Sequence, residues 1–124
     1  MDTNGVKKAI QDYFDAGYAS DGAKMAGVFH DVAHLYTCAE DGSLYNWDKS
    51  FFIDIVNRGK PGPDGPGYTR YDEILSIDFV SENTAVARVK VRVADTLYTD
   101  ILSFLHIDGK WQVISKVFAG VPAE

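Results

Sequence analysis

A single cysteine, four prolines and no run of basic residues set the first limits on this 124-residue chain. One cysteine, Cys38, excludes an internal disulfide. Its surroundings, Tyr36 to Asp41, lack a basic neighbour to activate a thiolate, so it reads as a small apolar strand residue. Twelve basic residues against eighteen acidic ones give a net charge of −6, and without a positive patch there is no electrostatic footing for a phosphate backbone. Nucleic acid is therefore not an expected partner. No apolar run is long enough to span a bilayer, and the start MDTNGVKKAIQ has no basic segment followed by an apolar one. The expected location is the cytoplasm, with no membrane partner. Glycine-rich phosphate loops and nucleophile elbows are also missing, which removes the usual signatures of nucleotide-driven chemistry. His30 and His34 are four apart, but they straddle a helix end and a strand start. Neither a metal nor any other cofactor is expected.

What is present is a 46% hydrophobic chain with enough apolar material for one core, read as a single domain over residues 1–124. Val6, Ile10, Tyr13, Phe14 and Gly17 recur at helical spacing from Asp2 to about Tyr18. Asp21 caps a shorter helix with Met25, Val28 and Phe29 on its buried side, ending near His30. Ala33 to Ala39 alternates as a strand, and Glu40 to Ser43 turns the chain into a short strand at Leu44-Tyr45. Asp48 caps a third helix carrying Phe51, Phe52, Ile55 and Val56, with Asn57-Arg58-Gly59 as its stop. Lys60 to Gly67 holds three of the four prolines and reads as a surface loop, either a plain connection or a lid.

Four long strands follow, and their register carries the functional argument. Asp108-Gly109 is a two-residue turn with positive φ at both positions, which suits the twist of the flanking strands. Counting outward from it places Ser103 opposite Ile114, Ile101 opposite Lys116 and Thr99 opposite Phe118, on the face expected to line a pocket. The opposite face then carries Asp100, Leu102, Phe104, Val113, Ser115 and Val117. Leu102, Phe104, Val113 and Val117 form an apolar patch expected to join two copies in a homodimer. In the strand before it, Ala85, Ala87, Val89, Val91 and Val93 share one face. A three-residue loop at Ala94-Asp95-Thr96 sets those valines beside Thr99 and Ile101; a two-residue loop reverses the assignment.

This order of helix, helix, hairpin, helix and four strands predicts an α+β fold: a cone-shaped, strongly curved mixed or antiparallel sheet wrapped by three N-terminal helices. It resembles the nuclear transport factor 2-like (cystatin-like) superfamily. More narrowly, YFDAGYASDGAKMAGVFHDVAHLY at 13–36 with YTDILSFLHIDGKWQVISKVF at 98–118 is similar to the "putative lumazine-binding", SnoaL-like proteins. Ketosteroid isomerases of that superfamily use a helix-one tyrosine, a carboxylate base after the first strand and a second acid on a later strand. The resemblance puts Tyr13 at the tyrosine, Thr37 at the base and Ser103 at the second acid. Neither hydroxyl performs a carboxyl group's proton transfers, so steroid-type isomerase activity is not expected.

The resulting pocket set is Tyr13, Thr37, Phe52, Thr99, Ile101, Ser103, Ile114, Lys116 and Phe118. Lys116 is the informative member. Burying its ammonium costs several kcal/mol without a partner, so it snorkels, pairs with an internal acid or meets an anionic ligand. Two functions follow. One is a binder of a small hydrophobic or aromatic molecule, extending to an enzyme of the isomerase, cyclase or dehydratase type. The other is a noncatalytic dimeric module with a filled cone.

Overall fold

A computed structural model describes residues 1–124. Helix α1 (Thr3–Ala19) starts where Asp2 accepts a hydrogen bond from the Gly5 backbone N–H, and α2 (Gly22–Val28) starts at the equivalent Asp21 cap. Strand β1 (Phe29–Cys38) begins four residues earlier than the alternation at Ala33 suggests, because helix α2 hands Phe29 directly into extended backbone. Strand β2 (Leu44–Asp48) runs longer than its two-residue reading and ends at the Asp48 cap of α3 (Lys49–Arg58). Strands β3 (Asp72–Ser81), β4 (Thr84–Val93), β5 (Thr96–Ile107) and β6 (Lys110–Pro122) complete the chain.

The six strands form one open, mixed sheet in the order β2-β1-β6-β5-β4-β3, with β1 parallel to β6 and every other pairing antiparallel. The expected α+β architecture is what the chain adopts. The three helices cover one face, and a core of twenty buried apolar residues lies between the two layers. Val6, Ile10, Tyr13 and Phe14 enter it from α1, as their spacing requires. The 60–67 loop holds a turn closed from Gly62 to Gly65. No helix is long and apolar enough to cross a membrane.

Two register details reverse the expected faces of β5. Val93 pairs directly with Thr96, so Ala94-Asp95 is a two-residue turn, with Ala94 at φ 53°. The valines of β4 therefore share their face with Asp100, Leu102 and Phe104, not with Thr99, Ile101 and Ser103. Leu102, Phe104 and Val113 are fully buried in this chain's own core and are not available to a second copy, whereas Val117 is exposed. The second detail is a bulge. Phe104 pairs with Val113, but Ser103 pairs with Ser115, leaving Ile114 as an extra residue. Lys116 thereby faces Leu102 and the helices; an unbroken ladder from the Asp108-Gly109 turn would have turned it outward.

Candidate functional site

The interior row of the sheet sets three polar side chains where only apolar ones are cheap. Asp100 lies on β5 opposite Phe118, and Lys116 lies on β6 opposite Leu102, which makes them diagonal neighbours on the helix-covered face. Asp100 is fully buried, and Lys116 retains 6% exposure. Tyr13 reaches the same point from α1 and donates its hydroxyl to Asp100 Oδ2 at 2.5 Å. Lys116 Nζ stands 3.8 Å from that oxygen, an ion-pair distance beyond hydrogen-bond reach. Asp100 Oδ1 has no hydrogen-bond partner.

Aromatic rings supply the rest of the ammonium's environment. Nζ lies 4.8 Å from the centre of the Phe118 ring, 4.9 Å from Phe52 and 5.2 Å from Tyr13. Such a cage holds a cation through the rings' electron-rich faces without giving its N–H groups acceptors. Burial lowers the Lys116 pKa from its ordinary 10.5, with the Asp100 charge working the other way. Burial also raises the Tyr13 pKa well above 10, reinforced by Asp100, so the phenol keeps its proton.

These groups face a cavity of about 160 Å³. It is lined by the buried Tyr13, Phe52 and Lys116 with Phe118, by Met25, Trp47, Ile55, Val56, Val91 and Tyr98, and by Gly17, Ser20, Gly59 and Val93. The volume matches the roughly 150 Å³ that admits a benzene-sized molecule and is far from a steroid's need. It lies between the filled cone and the large pocket that the two sequence-level functions require. Phe14 belongs to the core beneath, not to the cavity wall, and no residue of the 60–67 loop lines the cavity.

Of the nine expected pocket residues, Tyr13, Phe52, Lys116 and Phe118 line this cavity. Thr37 lies beyond it, donating to the Phe118 carbonyl at 2.6 Å. Thr99, Ile101, Ser103 and Ile114 belong to the other sheet face, for the register reasons given above, and Ile101 is 42% exposed. Ser103 accordingly does not stand beside Tyr13; Asp100, three residues earlier, accepts the Tyr13 hydroxyl. Sequence reasoning missed Asp100, although the two-residue alternative for Ala94-Asp95 already placed it among the valines. Thr37 remains a hydroxyl, and no Asp or Glu lines the cavity; Asp100 meets Tyr13 and Lys116 without being part of its wall. His34 stacks on Tyr36 and contacts Asn46, and His106 packs on Trp111, both outside the site.

Comparison with known proteins agrees with this fold. Residues 1–119 match the protein family described as "Putative lumazine-binding". A curated relative, "Aldolase FrzH" from Cladobotryum sp, is 28% identical over 112 residues, covering 89% of this chain and 84% of its own. An NTF2-like protein of unknown function from Shewanella baltica OS155 superposes with a TM-score of 0.84 at 23% identity, over 97% of this chain and 94% of its own. A ketosteroid isomerase-like protein from Erwinia carotovora atroseptica SCRI1043 superposes at 0.71 with 14% identity, over 95% of each chain. At those identities the two structures speak for the fold alone.

Proposed function

The chain belongs to the "Putative lumazine-binding" family of the nuclear transport factor 2-like superfamily, and from that premise we propose that it binds a small, mostly aromatic or apolar compound through an oxygen atom held at Lys116. The observation that carries this reading is the Lys116 ammonium on the wall of an apolar cavity, caged by three rings and 3.8 Å from its acid. A carbonyl or carboxylate oxygen entering there gains a charge-assisted hydrogen bond while its hydrocarbon part leaves water. The relative named an aldolase favours a carbonyl, since aldol chemistry is carbonyl chemistry. Acetophenone, benzoate and benzyl alcohol, titrated against the protein by thermal shift, test the reading. Saturable stabilisation by the carbonyl compound or by benzoate, lost in Lys116→Met, is expected. Absence of a saturable shift from all three overturns it.

A second reading, the dimeric module, draws on the outer sheet face. Tyr36, Val117, Ile101 and Arg88 form one row across β1, β6, β5 and β4, with Val117 47% and Ile101 42% exposed. We place the homodimer contact on this row, where a second copy would cover it. The two readings are compatible, because the cavity opens on the opposite side.

A further inference from the structure

Lys116 is built less like a member of a structural ion pair than like a held nucleophile. A pair that serves only the fold closes to about 2.8 Å and satisfies its remaining oxygens. Here the gap is 3.8 Å, Asp100 Oδ2 is taken by Tyr13, and Oδ1 has no partner. The lysine is anchored in a sheet strand, and it lines the cavity together with the three rings around its amine. Resting on the ligand-binding reading above, we propose that Lys116 forms a covalent imine with small aromatic aldehydes or ketones that enter this cavity.

The step balances without a co-reactant. The neutral amine attacks the carbonyl carbon, a C–N bond forms, and the π pair moves to oxygen, which takes a proton. The hydroxyl of that adduct leaves as water with a second proton while the nitrogen lone pair closes the C=N bond. The two amine protons and the carbonyl oxygen depart together as one water, and nothing is oxidised or reduced. Solvent carries the proton from nitrogen to oxygen, because Asp100, fully buried and 3.8 Å from Nζ, is not on the cavity wall. Tyr13 donates to Oδ2 and steadies that carboxyl group. The three rings that cage the ammonium face the protonated imine equally well, and their apolar surface limits the water that would hydrolyse it. Burial activates the amine in the same place, because a desolvated lysine is neutral at a pH where surface lysines are charged.

Trapping with benzaldehyde and cyanoborohydride, followed by peptide mapping, tests this on the wild-type chain. The expected result is a benzyl group that forms on Lys116 before it forms on any surface lysine, because burial leaves more of its amine neutral. The Lys116 labelling rate should rise with pH and level off below the pH at which surface lysines do. Asp100→Asn, which removes the charge that holds the Lys116 pKa up, should move the Lys116 labelling profile to lower pH while thermal shifts with benzyl alcohol, which has no carbonyl, persist. Labelling confined to surface lysines, alongside an intact benzyl alcohol shift, overturns the imine and leaves ligand binding standing. Absence of both labelling and any aromatic shift overturns the two together.

Discussion

Lys116 and Asp100 show how two charged side chains are kept in a core, and what each would cost alone. Removing one partner of a buried pair strands the other, typically at about 3–5 kcal/mol, whereas replacing both by neutral groups of similar shape can be close to neutral. Lys116→Met is therefore expected to destabilise the chain by about 3 kcal/mol at neutral pH, and Lys116→Met with Asp100→Asn to recover most of that loss. Urea unfolding of the four species gives the cycle; additive losses would show that the 3.8 Å contact does not couple them. The pH dependence has a definite sign. The folded-state pKa of Lys116 lies below 10.5, so between the two values the unfolded chain binds a proton that the folded chain does not. Wild-type stability should gain from Lys116 as pH rises through that window, and this gain should be absent in Lys116→Met. Tyr13 acts in the opposite sense: its raised pKa makes stability fall once pH passes 10, where the unfolded phenol ionises first.

At the scale of elements, the site depends on where β6 breaks its own regularity. The extra residue at Ile114 lets Val113 and Lys116, three apart, both face the helices. Further along β6, Gly120 performs a second adjustment. A Cβ there would come 2.7 Å from Thr96 Cγ2 and 2.9 Å from the Tyr98 ring. Tyr98 crosses the strand at Gly120, meets Phe118 edge-on at 5.8 Å and forms part of the cavity wall. Gly120→Ala is expected to push the Tyr98 ring aside, cost about 1–3 kcal/mol by overpacking and weaken the thermal shift of small aromatics. An unchanged melting temperature with an unchanged ligand shift would show that the ring has room to yield.

For the whole molecule, the helix-covered face is core and the opposite face is the surface on which a partner could sit. Substitutions on the two faces should therefore fail differently. Phe104→Glu places a charge at a fully buried site and is expected to unfold the protein, while Val117→Glu should leave the fold intact and shift any dimer toward monomer. Circular dichroism and light scattering at micromolar concentration separate the outcomes. A folded Phe104→Glu would mean that the two faces have been exchanged. The cavity's size bears on activity at the same scale: with about 160 Å³ and no carboxyl group on its wall, the protein is expected to leave a β,γ-unsaturated steroid ketone unisomerised.

The local signals of this sequence determined its elements. The Asp2, Asp21 and Asp48 caps, the helical stripe from Val6 to Phe14, the Asp108-Gly109 turn and the alternation of β4 act within a few residues, and the structure places helices, turn and strands where they point. The inward position of Lys116 was also read from the sequence, but through two errors that cancel: the wrong face of β5 and an unbroken β6. Asp100 was lost to the same errors. Strand faces alternate every residue, so one residue more or less in a turn or bulge exchanges them completely. Both faces of β5 and β6 carry enough apolar side chains for either to have been the core. Only the packing of α1 against the sheet, which brings Tyr13 to Asp100 and buries Leu102 and Phe104 beneath it, decided between them. The turn length at Ala94-Asp95 and the bulge at Ile114 satisfy that packing, a tertiary requirement that no local pattern in the chain expresses.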